Sequence, residues 1–201
     1  GVTPVLESFY SGFLHLRPTL QRWMRAAEVT HLPADMLADL RADHAGETGS
    51  VAIYQGMLWA SRNVQVQDLA SRHLRTEEQH LEMMRALLPP FRRSWLLPVW
   101  KVAGFLVGAL PALFGPKAVF ATVAAVETFV ELHYQQQISR LASRPENAPL
   151  LELLLECQQD EREHLEEASL SQLTPPGLIL RLWCSAIGTG SIAGVWLTTW
   201  I

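Results

Sequence analysis

The chain has 201 residues, a length that favours one compact domain with a substantial core over two large domains. Hydrophobic residues make up 49% of it and charged residues only 18%, which excludes a largely disordered chain. The formal net charge of -4 argues against nucleic acid as the main partner. The only two cysteines, Cys157 and Cys184, are too few for a disulfide framework or a zinc ribbon.

Apolar residues recur at helical spacing along the chain, and no strand-like alternation persists, so the sequence predicts an all-α fold. Proline and glycine residues fall in the gaps between the periodic segments. Residues 1–33 contain three prolines with mixed polarity and are predicted to form an N-terminal arm beside one domain at 34–201. The predicted helices are 34–61, 65–88, 97–113, 117–143, 149–173 and 177–200.

Two of these helices, the third and the last, lie in regions that are nearly free of charge. Residues 96–126 carry only Lys101 and Lys117, and residues 171–201 carry only Arg181. The longest charge-free run of the first region, at 102–116, is shorter than the roughly 20 residues of a membrane span, and glycine, serine and threonine dilute the second. Arg92, Arg93, Trp95 and Trp100 flank the first region, as in helices that lie in a membrane interface. We therefore expect membrane-contacting segments at about 95–114 and 177–201, with two buried core helices as the alternative.

The other four predicted helices each have an inward stripe that is apolar at both ends and polar in the middle. An unpaired carboxylate in a protein core costs several kcal/mol, and four together would exceed the typical domain stability of about 5–15 kcal/mol. Either cations lie among these carboxylates, or the charges are solvated and the stripes are misplaced. Two divalent metals would balance four carboxylates. The polar positions are Glu47, Glu77, His80, Glu127, Glu161 and His164.

Two Glu-x-x-His pairs alternate with two single glutamates in this set. A spacing of three residues puts carboxylate and imidazole on one helix face, so both can reach one metal. One glutamate from each of two helices and Glu-x-x-His from each of the other two is the pattern of ferritin-like di-metal bundles. Oxygen-rich ligation with two imidazoles favours iron or manganese over structural zinc.

Residues near these positions have weaker predicted roles. Asp160 is placed to orient a ligating imidazole from another helix, and Cys157 is predicted to be a small core residue. His133 and Tyr134 lie two turns from Glu127, close enough to shape a substrate pocket. Several acidic residues fall off the stripes and are predicted to be solvated, namely Glu78, Glu82, Glu163, Glu166 and Glu167.

Two further histidines lie one turn before proposed ligands. His44 precedes Glu47, and His73 precedes Glu77. Each histidine is interpreted either as a group that supports a ligand or as a hydrogen-bonded core residue. The spacing along one helix does not distinguish these readings.

The chain resembles the demethoxyubiquinone hydroxylase family, the di-iron monooxygenases of ubiquinone biosynthesis. The matching motifs are RADHAGETG at 41–49, IY at 53–54, EEQH at 77–80, LPVWKVAGFLVG at 97–108, AVETFVELHYQQQ at 125–137 and DEREH at 160–164. The resemblance implies a ferritin-like four-helix bundle with two additional apolar helices. It also implies iron ligation by all six stripe residues, with Glu77 and Glu127 as the bridging carboxylates.

The implied reaction is hydroxylation of the ring of a demethoxyubiquinone or demethoxyubiquinol by dioxygen, with one oxygen atom entering the ring and the other leaving as water. The implied cofactors are two iron ions, and the electrons would come from the quinol itself, from NADH or from another reductant. No glycine-rich fingerprint locates a nucleotide site. The expected partners are a polyprenylated quinol, dioxygen and a membrane surface, with no nucleic acid. A homo-oligomer and a complex of ubiquinone-biosynthesis enzymes both stay open.

The first 33 residues have neither the apolar core of a secretory signal nor the Arg-rich, acid-poor composition of a transit sequence. We therefore expect a peripheral enzyme on the cytoplasmic face of a bacterial inner membrane. Three alternatives belong to other classes. A ferritin-like iron-oxidising or iron-storage protein predicts a polar exterior, a di-iron hydroxylase of transfer RNA needs a basic surface, and a metal-free membrane scaffold leaves the buried carboxylates unexplained.

Overall fold

The computed structural model describes residues 34–172 and 174–200, and this part of the chain is all-α, as predicted. The predicted arm at 1–33 lies outside the described residues. The predicted helix bounds agree with the observed ones to within three residues. The helices are α1 (Ala34–Ala60), α2 (Val64–Leu87), α3 (Leu97–Ala112), α4 (Pro116–Leu141), α5 (Ala148–Leu170) and α6 (Leu178–Trp200), with 3-10 turns at Pro90–Arg92 and Pro145–Asn147.

The ends of the helices follow from local chemistry. Asn63 caps α2, because its side-chain Oδ1 accepts hydrogen bonds from the backbone N–H groups of Gln65 and Val66 at 3.0 and 3.2 Å. Gly115 precedes α4 with a φ of 96°, in the left-handed region that favours glycine. Pro116 then takes the first helical position, where no backbone N–H is needed.

Helices α1, α2, α4 and α5 form a four-helix bundle with an apolar cluster at each end. One cluster includes Leu40, Met84 and Leu154, and the other includes Met57 and Val123. On each of the four helices, the buried glutamate and histidine residues lie between the positions that join these two clusters. The bundle therefore holds a polar layer between two apolar ones.

Glycine residues bring α3 into backbone contact with the outer side of α1. A Cβ at Gly104 would collide with the carbonyl oxygen of Gly49, and a Cβ at Gly108 would collide with that of Ile53. Side chains at these positions would push the two helices apart. The small residues of the third predicted helix therefore serve close helix packing.

Helix α6 lies along α1 and α4 and is attached near both of its ends. Near its start, Trp183 Nε1 donates a hydrogen bond to Thr122 Oγ1 at 2.9 Å. Near its end, the backbone oxygen of Thr199 accepts one from Arg41 Nη1 at 3.3 Å. By length and composition alone, α6 could cross a membrane, whereas α3, at 16 residues, is shorter.

Large apolar side chains are exposed on α3, on α6 and in the residues next to α3. Trp95, just before α3, is 86% exposed, and Phe114, just after it, is 82% exposed. The ring of Trp100 packs against Gly194 of α6 instead, so only one of the two predicted tryptophan anchors is free. The exposed apolar residues of the two helices include Val99, Val102, Leu106, Leu178, Ile179, Leu182, Ile192 and Trp196.

Candidate metal centre

Six buried carboxylate and imidazole side chains from the four bundle helices meet in the polar layer. None of them is more than 7% exposed. The spacing of three residues on α2 and on α5 turns each Glu-x-x-His pair toward the bundle axis. The six are Glu47 of α1, Glu77 and His80 of α2, Glu127 of α4, and Glu161 and His164 of α5.

The six side chains divide into two overlapping groups, and within each group one ligand atom per residue lies within 4.8 Å of the others. Glu77 and Glu161 belong to both groups, whereas Glu127 belongs to the second and to a further group with His73 and His164. Of the two bridging carboxylates that the resemblance implies, Glu77 thus belongs to both of these groups, and Glu127 belongs to one of them. The first group is Glu47, Glu77, His80 and Glu161, and the second is Glu77, Glu127, Glu161 and His164.

Two tyrosines donate hydrogen bonds to two of the clustered carboxylates, those of Glu47 and Glu127. Tyr134 donates a hydrogen bond to Glu47 Oε1 at 2.5 Å, and Tyr54 donates one to Glu127 Oε1 at 2.5 Å. Burial raises the pKa of both phenols well above the usual value, so both remain donors. The remaining Oε2 of each carboxylate has no hydrogen-bond partner among the described residues, and neither has either oxygen of Glu77.

Buried acceptors without donors are expensive, at about 1–3 kcal/mol each and more when charged. A cation between these oxygens would supply the missing partner. The residues present therefore fit a metal site, since all four glutamates that carry unpartnered oxygens belong to these two groups.

The two histidines both direct Nδ1 toward the cluster. His80 Nδ1 lies 3.1 Å from Glu161 Oε1, and on the far side of the ring its Nε2 lies 3.0 Å from Asp160 Oδ2. Asp160 thus makes the contact with an imidazole of another helix that the sequence predicts. His164 Nδ1 lies 3.2 Å from Glu77 Oε1.

The electrostatics of the cluster also favour a bound cation. Burial raises the pKa of Glu47 to about 7, and burial together with the nearby Glu161 carboxylate raises the pKa of Glu77 and Glu127 well above the usual range. Burial opposes ionisation of Glu161 as well, but the adjacent imidazoles of His164 and His80 outweigh it and lower its pKa. The metal-free cluster therefore retains protons that a divalent cation would displace.

The two residues predicted to shape a substrate pocket have different surroundings. Tyr134 contacts Glu47, as described above. His133 Nε2 lies 3.0 Å from Asp43 Oδ1, which also accepts a hydrogen bond from Gln137 Nε2 at 2.6 Å. Cys157 is fully buried in an apolar cluster, which confirms its predicted role as a core residue.

Tyr54, His73 and Glu167 form a group that the sequence only partly predicts. His73 Nδ1 lies 3.0 Å from the Tyr54 hydroxyl, and its Nε2 lies 3.0 Å from Glu167 Oε2. Glu167 is predicted to be solvated, yet its partly exposed carboxylate is held by His73 and Arg72. The position of Tyr54 on the polar stripe, two turns after Glu47, is a sequence signal that could have indicated this group.

The equally buried His44 differs from His73. Neither ring nitrogen of His44 has a partner among the described residues.

A cavity of about 320 Å³ lies between α1, α3, α4 and α6. Small residues such as Gly46, Gly49 and Gly190 form much of its wall, which leaves the space open. Val126 and Phe129, which flank Glu127 in sequence, form part of the α4 side. The cavity is mostly apolar, as a site for an apolar ligand would be.

The fold and the buried cluster define a class, the helical bundles in which glutamate and histidine residues of four helices could hold metal ions. Residues 35–198 match the family model described as ubiquinone biosynthesis protein COQ7, and the chain belongs to this family. The family predicted from the sequence motifs is thereby confirmed.

Several relatives of known activity are similar over most of the chain. The 3-demethoxyubiquinol 3-hydroxylase of Rhodospirillum rubrum is 37% identical over 168 residues, which are 79% of this chain and 75% of the relative. The enzyme of the same name from Nitrosospira multiformis is 30% identical over 179 residues, or 82% and 85% of the two chains. The mitochondrial NADPH-dependent 3-demethoxyubiquinone 3-hydroxylase of Dictyostelium discoideum is 31% identical over 168 residues, or 80% and 75%.

Proposed function

We propose that this chain is a di-iron monooxygenase that hydroxylates the ring of a demethoxyubiquinol in ubiquinone biosynthesis. The observation that carries the proposal is the buried cluster of four carboxylates and two imidazoles, in which each carboxylate has at least one oxygen without a hydrogen-bond partner. The reaction is inferred from the names of the relatives, of which two are hydroxylases of demethoxyubiquinol and one of demethoxyubiquinone. The substrates are then a quinol and dioxygen.

The six clustered side chains are proposed as the iron ligands. Glu47 and His80 would hold one iron, and Glu127 and His164 the other. Glu77 and Glu161, which belong to both groups, would bridge them. Four carboxylates balance the charge of two ferrous ions, so the occupied layer would be close to neutral. When bound, the irons supply the activation of dioxygen.

The residues around the cluster then orient the ligands and exclude water. Tyr134 and Tyr54 each occupy one carboxylate oxygen and leave the other directed inward, and Asp160 fixes the ring of His80. The apolar layers above and below keep the polar layer dry. Ring hydroxylation replaces C–H by C–OH, and the second oxygen atom leaves as water after taking two electrons and two protons. The quinol or a reduced nicotinamide would supply the electrons, and the name of the Dictyostelium discoideum relative specifies NADPH.

The cavity is proposed as the site of the substrate ring. Its wall includes residues that flank Glu127 on α4, and α3 and α6 close it on the outside. The outward sides of these two helices are apolar, and Trp95 and Phe114 are exposed at the two ends of α3. A polyprenyl tail could leave the cavity between these helices and stay in lipid while the ring remains near the cluster.

We further propose that the apolar surface of α3 and α6 rests on a membrane. Because α6 is attached to the bundle near both ends, it would lie on the membrane rather than cross it. The proposed location is the cytoplasmic face of a bacterial inner membrane, and two of the relatives named above are bacterial. An iron-storage protein, in contrast, would have a polar exterior, so this surface favours the hydroxylase.

A comparison of two glutamates on α5 tests the proposed function. Glu161 lies in both ligand groups, whereas Glu163 is exposed and contacts Gln159. After anaerobic ferrous loading we expect wild type and Glu163→Ala to hold about two irons per chain and Glu161→Ala less than half of that, with product reduced about 100-fold or more. Iron is measured by mass spectrometry, and the product by incorporation of labelled oxygen from ¹⁸O₂ into demethoxyubiquinol.

Two results would contradict the proposal. One is a wild-type iron content that stays far below two per chain after loading. The other is equal hydroxylation of the quinol by wild type and Glu161→Ala.

A further inference from the structure

One half of the candidate metal centre is backed by a chain of hydrogen bonds that reaches the protein surface. The Tyr54 hydroxyl, which donates to Glu127, lies 3.0 Å from His73 Nδ1. His73 Nε2 lies 3.0 Å from Glu167 Oε2, and Arg72 donates to both oxygens of that carboxylate at 2.7 and 2.5 Å. The hydrogen bonds from Arg72 lower the pKa of Glu167 to about 2, so this end of the chain is anchored by a carboxylate.

His73 also contacts a second proposed ligand. Its ring is stacked on that of His164, with centroids 3.8 Å apart and planes inclined by 13°. The Nδ1 atom of His164 faces the cluster. The ring of His73 therefore packs against the ring of His164 and restricts its orientation.

The other half of the centre is supported by different residues. Tyr134 holds Glu47, and Asp160 holds the outer nitrogen of His80. His73 makes no described contact with any of these four groups. The two halves of the centre therefore have separate supports, and only one of them depends on His73.

We propose that His73 is a positioning residue that orients both Glu127 and His164, the two side chains proposed to hold the second metal ion. It acts on Glu127 through the Tyr54 hydroxyl and on His164 through the stacked ring, and the Glu167–Arg72 pair fixes its own orientation. The inference rests on the proposed di-metal function. It has a specific consequence, because loss of His73 should weaken one metal position and leave the other unchanged.

Cobalt binding to the metal-free full-length chain tests this assignment. Co²⁺ is titrated into wild type, His73→Leu, His73→Gln and the control His44→Leu, with calorimetry and the visible spectrum of the bound ion as readouts. His44 is a matched control, because it is equally buried, lies one turn before a proposed ligand and has no ring-nitrogen partner among the described residues. Far-ultraviolet circular dichroism and the melting temperature report folding.

We expect wild type and His44→Leu to bind two Co²⁺ per chain. In His73→Leu one position should keep its affinity, and the other should weaken by about 10- to 100-fold with a changed spectrum. In His73→Gln the amide can still bond to Tyr54 but cannot stack on His164, so we expect an intermediate loss. Should His73→Leu not fold, His73→Gln carries the same test.

Three outcomes would overturn the inference. Two unchanged positions in both His73 variants would show that the ligands do not depend on this ring. Equal weakening of both positions would show that the residue acts on the bundle as a whole. If wild type itself binds fewer than two Co²⁺, the proposed di-metal function fails and the inference fails with it, a result distinct from the other two.

Discussion

The four-helix bundle and the layer formed by α3 and α6 distribute polarity in opposite ways. The bundle buries four carboxylates and two imidazoles, whereas the outer layer exposes large apolar side chains. Each arrangement is unfavourable in water unless something covers it, because a buried charge needs a counter-charge and an exposed apolar patch needs an apolar partner. This contrast is the basis for the two proposed partners, a pair of cations inside and a lipid surface outside.

The cavity connects these two regions. Its inner wall contains residues next to Glu127 on α4, and its outer wall is made by α3 and α6. A lipid substrate must leave the membrane far enough to bring its ring to the cluster, so a position between the regions is what the proposed reaction requires. Three predictions test how far the bundle, the cavity and the outer layer are functionally separate.

Removal of metal from the bundle should have the largest effect, and this effect should grow with pH. Burial raises the pKa of Glu47 from 4.5 to about 7, so between these values the unfolded chain releases a proton that the metal-free folded protein keeps, and stability falls as the pH rises. A bound cation pairs with the ionised group and removes this penalty. We expect the melting temperatures with and without chelator to diverge from about pH 4.5 to pH 7 and to stay apart at higher pH, reaching a difference of about 10 °C.

The variant Glu47→Gln sharpens the first prediction. Its amide cannot ionise, so the melting temperature of the metal-free variant should depend less on pH than that of the wild type. A difference between the two metal states that stays constant or shrinks as the pH rises from about 4.5 to 7 would contradict the proposed cation pairing.

Filling the cavity should impair the reaction while leaving the metal cluster intact. Gly190 lines the cavity and Gly188 does not, and a Cβ at either position of α6 would meet nothing within 4 Å. Leucine is a better helix former than glycine by about 1 kcal/mol, so neither replacement should unfold α6. We expect Gly190→Leu to lower kcat/KM for the quinol by about 10- to 100-fold with unchanged iron content, and Gly188→Leu to match wild type.

Quinol turnover with varied substrate concentration, together with iron analysis, checks this prediction. Wild-type kinetics in Gly190→Leu would show that the ring reaches the cluster by another route. A loss of iron in that variant would show that the cavity and the cluster are not separate.

Loss of exposed aromatic residues from the outer layer should have the smallest effect. Trp95→Ala with Phe114→Ala removes two side chains that are more than 80% exposed at the ends of α3. We expect the liposome partition coefficient, measured in a flotation assay, to fall by about tenfold. Turnover of a short-tailed soluble quinol should be unchanged. The control replaces Leu132 and Leu155 by alanine, because these exposed apolar residues lie on α4 and α5 of the bundle. Equal flotation of all three proteins would remove the α3 surface from membrane binding.

The helices and the six clustered residues could be predicted because they depend on periodicity along one chain segment. Proline and glycine at the gaps set the helix ends, as at Gly115 before α4. A stripe that is apolar except for Glu or His in its middle indicates a buried polar site, because such residues are costly in a core unless something pairs with them. The six positions on these stripes do lie together in the structure.

Contacts between side chains of different helices could not be predicted, because periodicity along one helix does not encode them. His44 and His73 each lie about one helical turn before a proposed ligand, yet of these two only His73 has hydrogen-bond partners for its ring nitrogens. Glu161, rather than Glu127, is shared with Glu77 between the two ligand groups, because the geometry between α2 and α5 brings Glu161 within reach of both histidines. Helical spacing defines which face a residue occupies, but not which side chain of another helix it meets.

The sequence by itself therefore determined the all-α fold, the family and the set of candidate ligands, because local periodicity and short motifs encode them. Only the tertiary structure decided which oxygens are left without partners, which tyrosine donates to which carboxylate, and which of His44 and His73 has hydrogen-bond partners. These features depend on distances of about 3 Å between side chains of different helices, and such distances follow from how the helices pack rather than from spacing along any one of them.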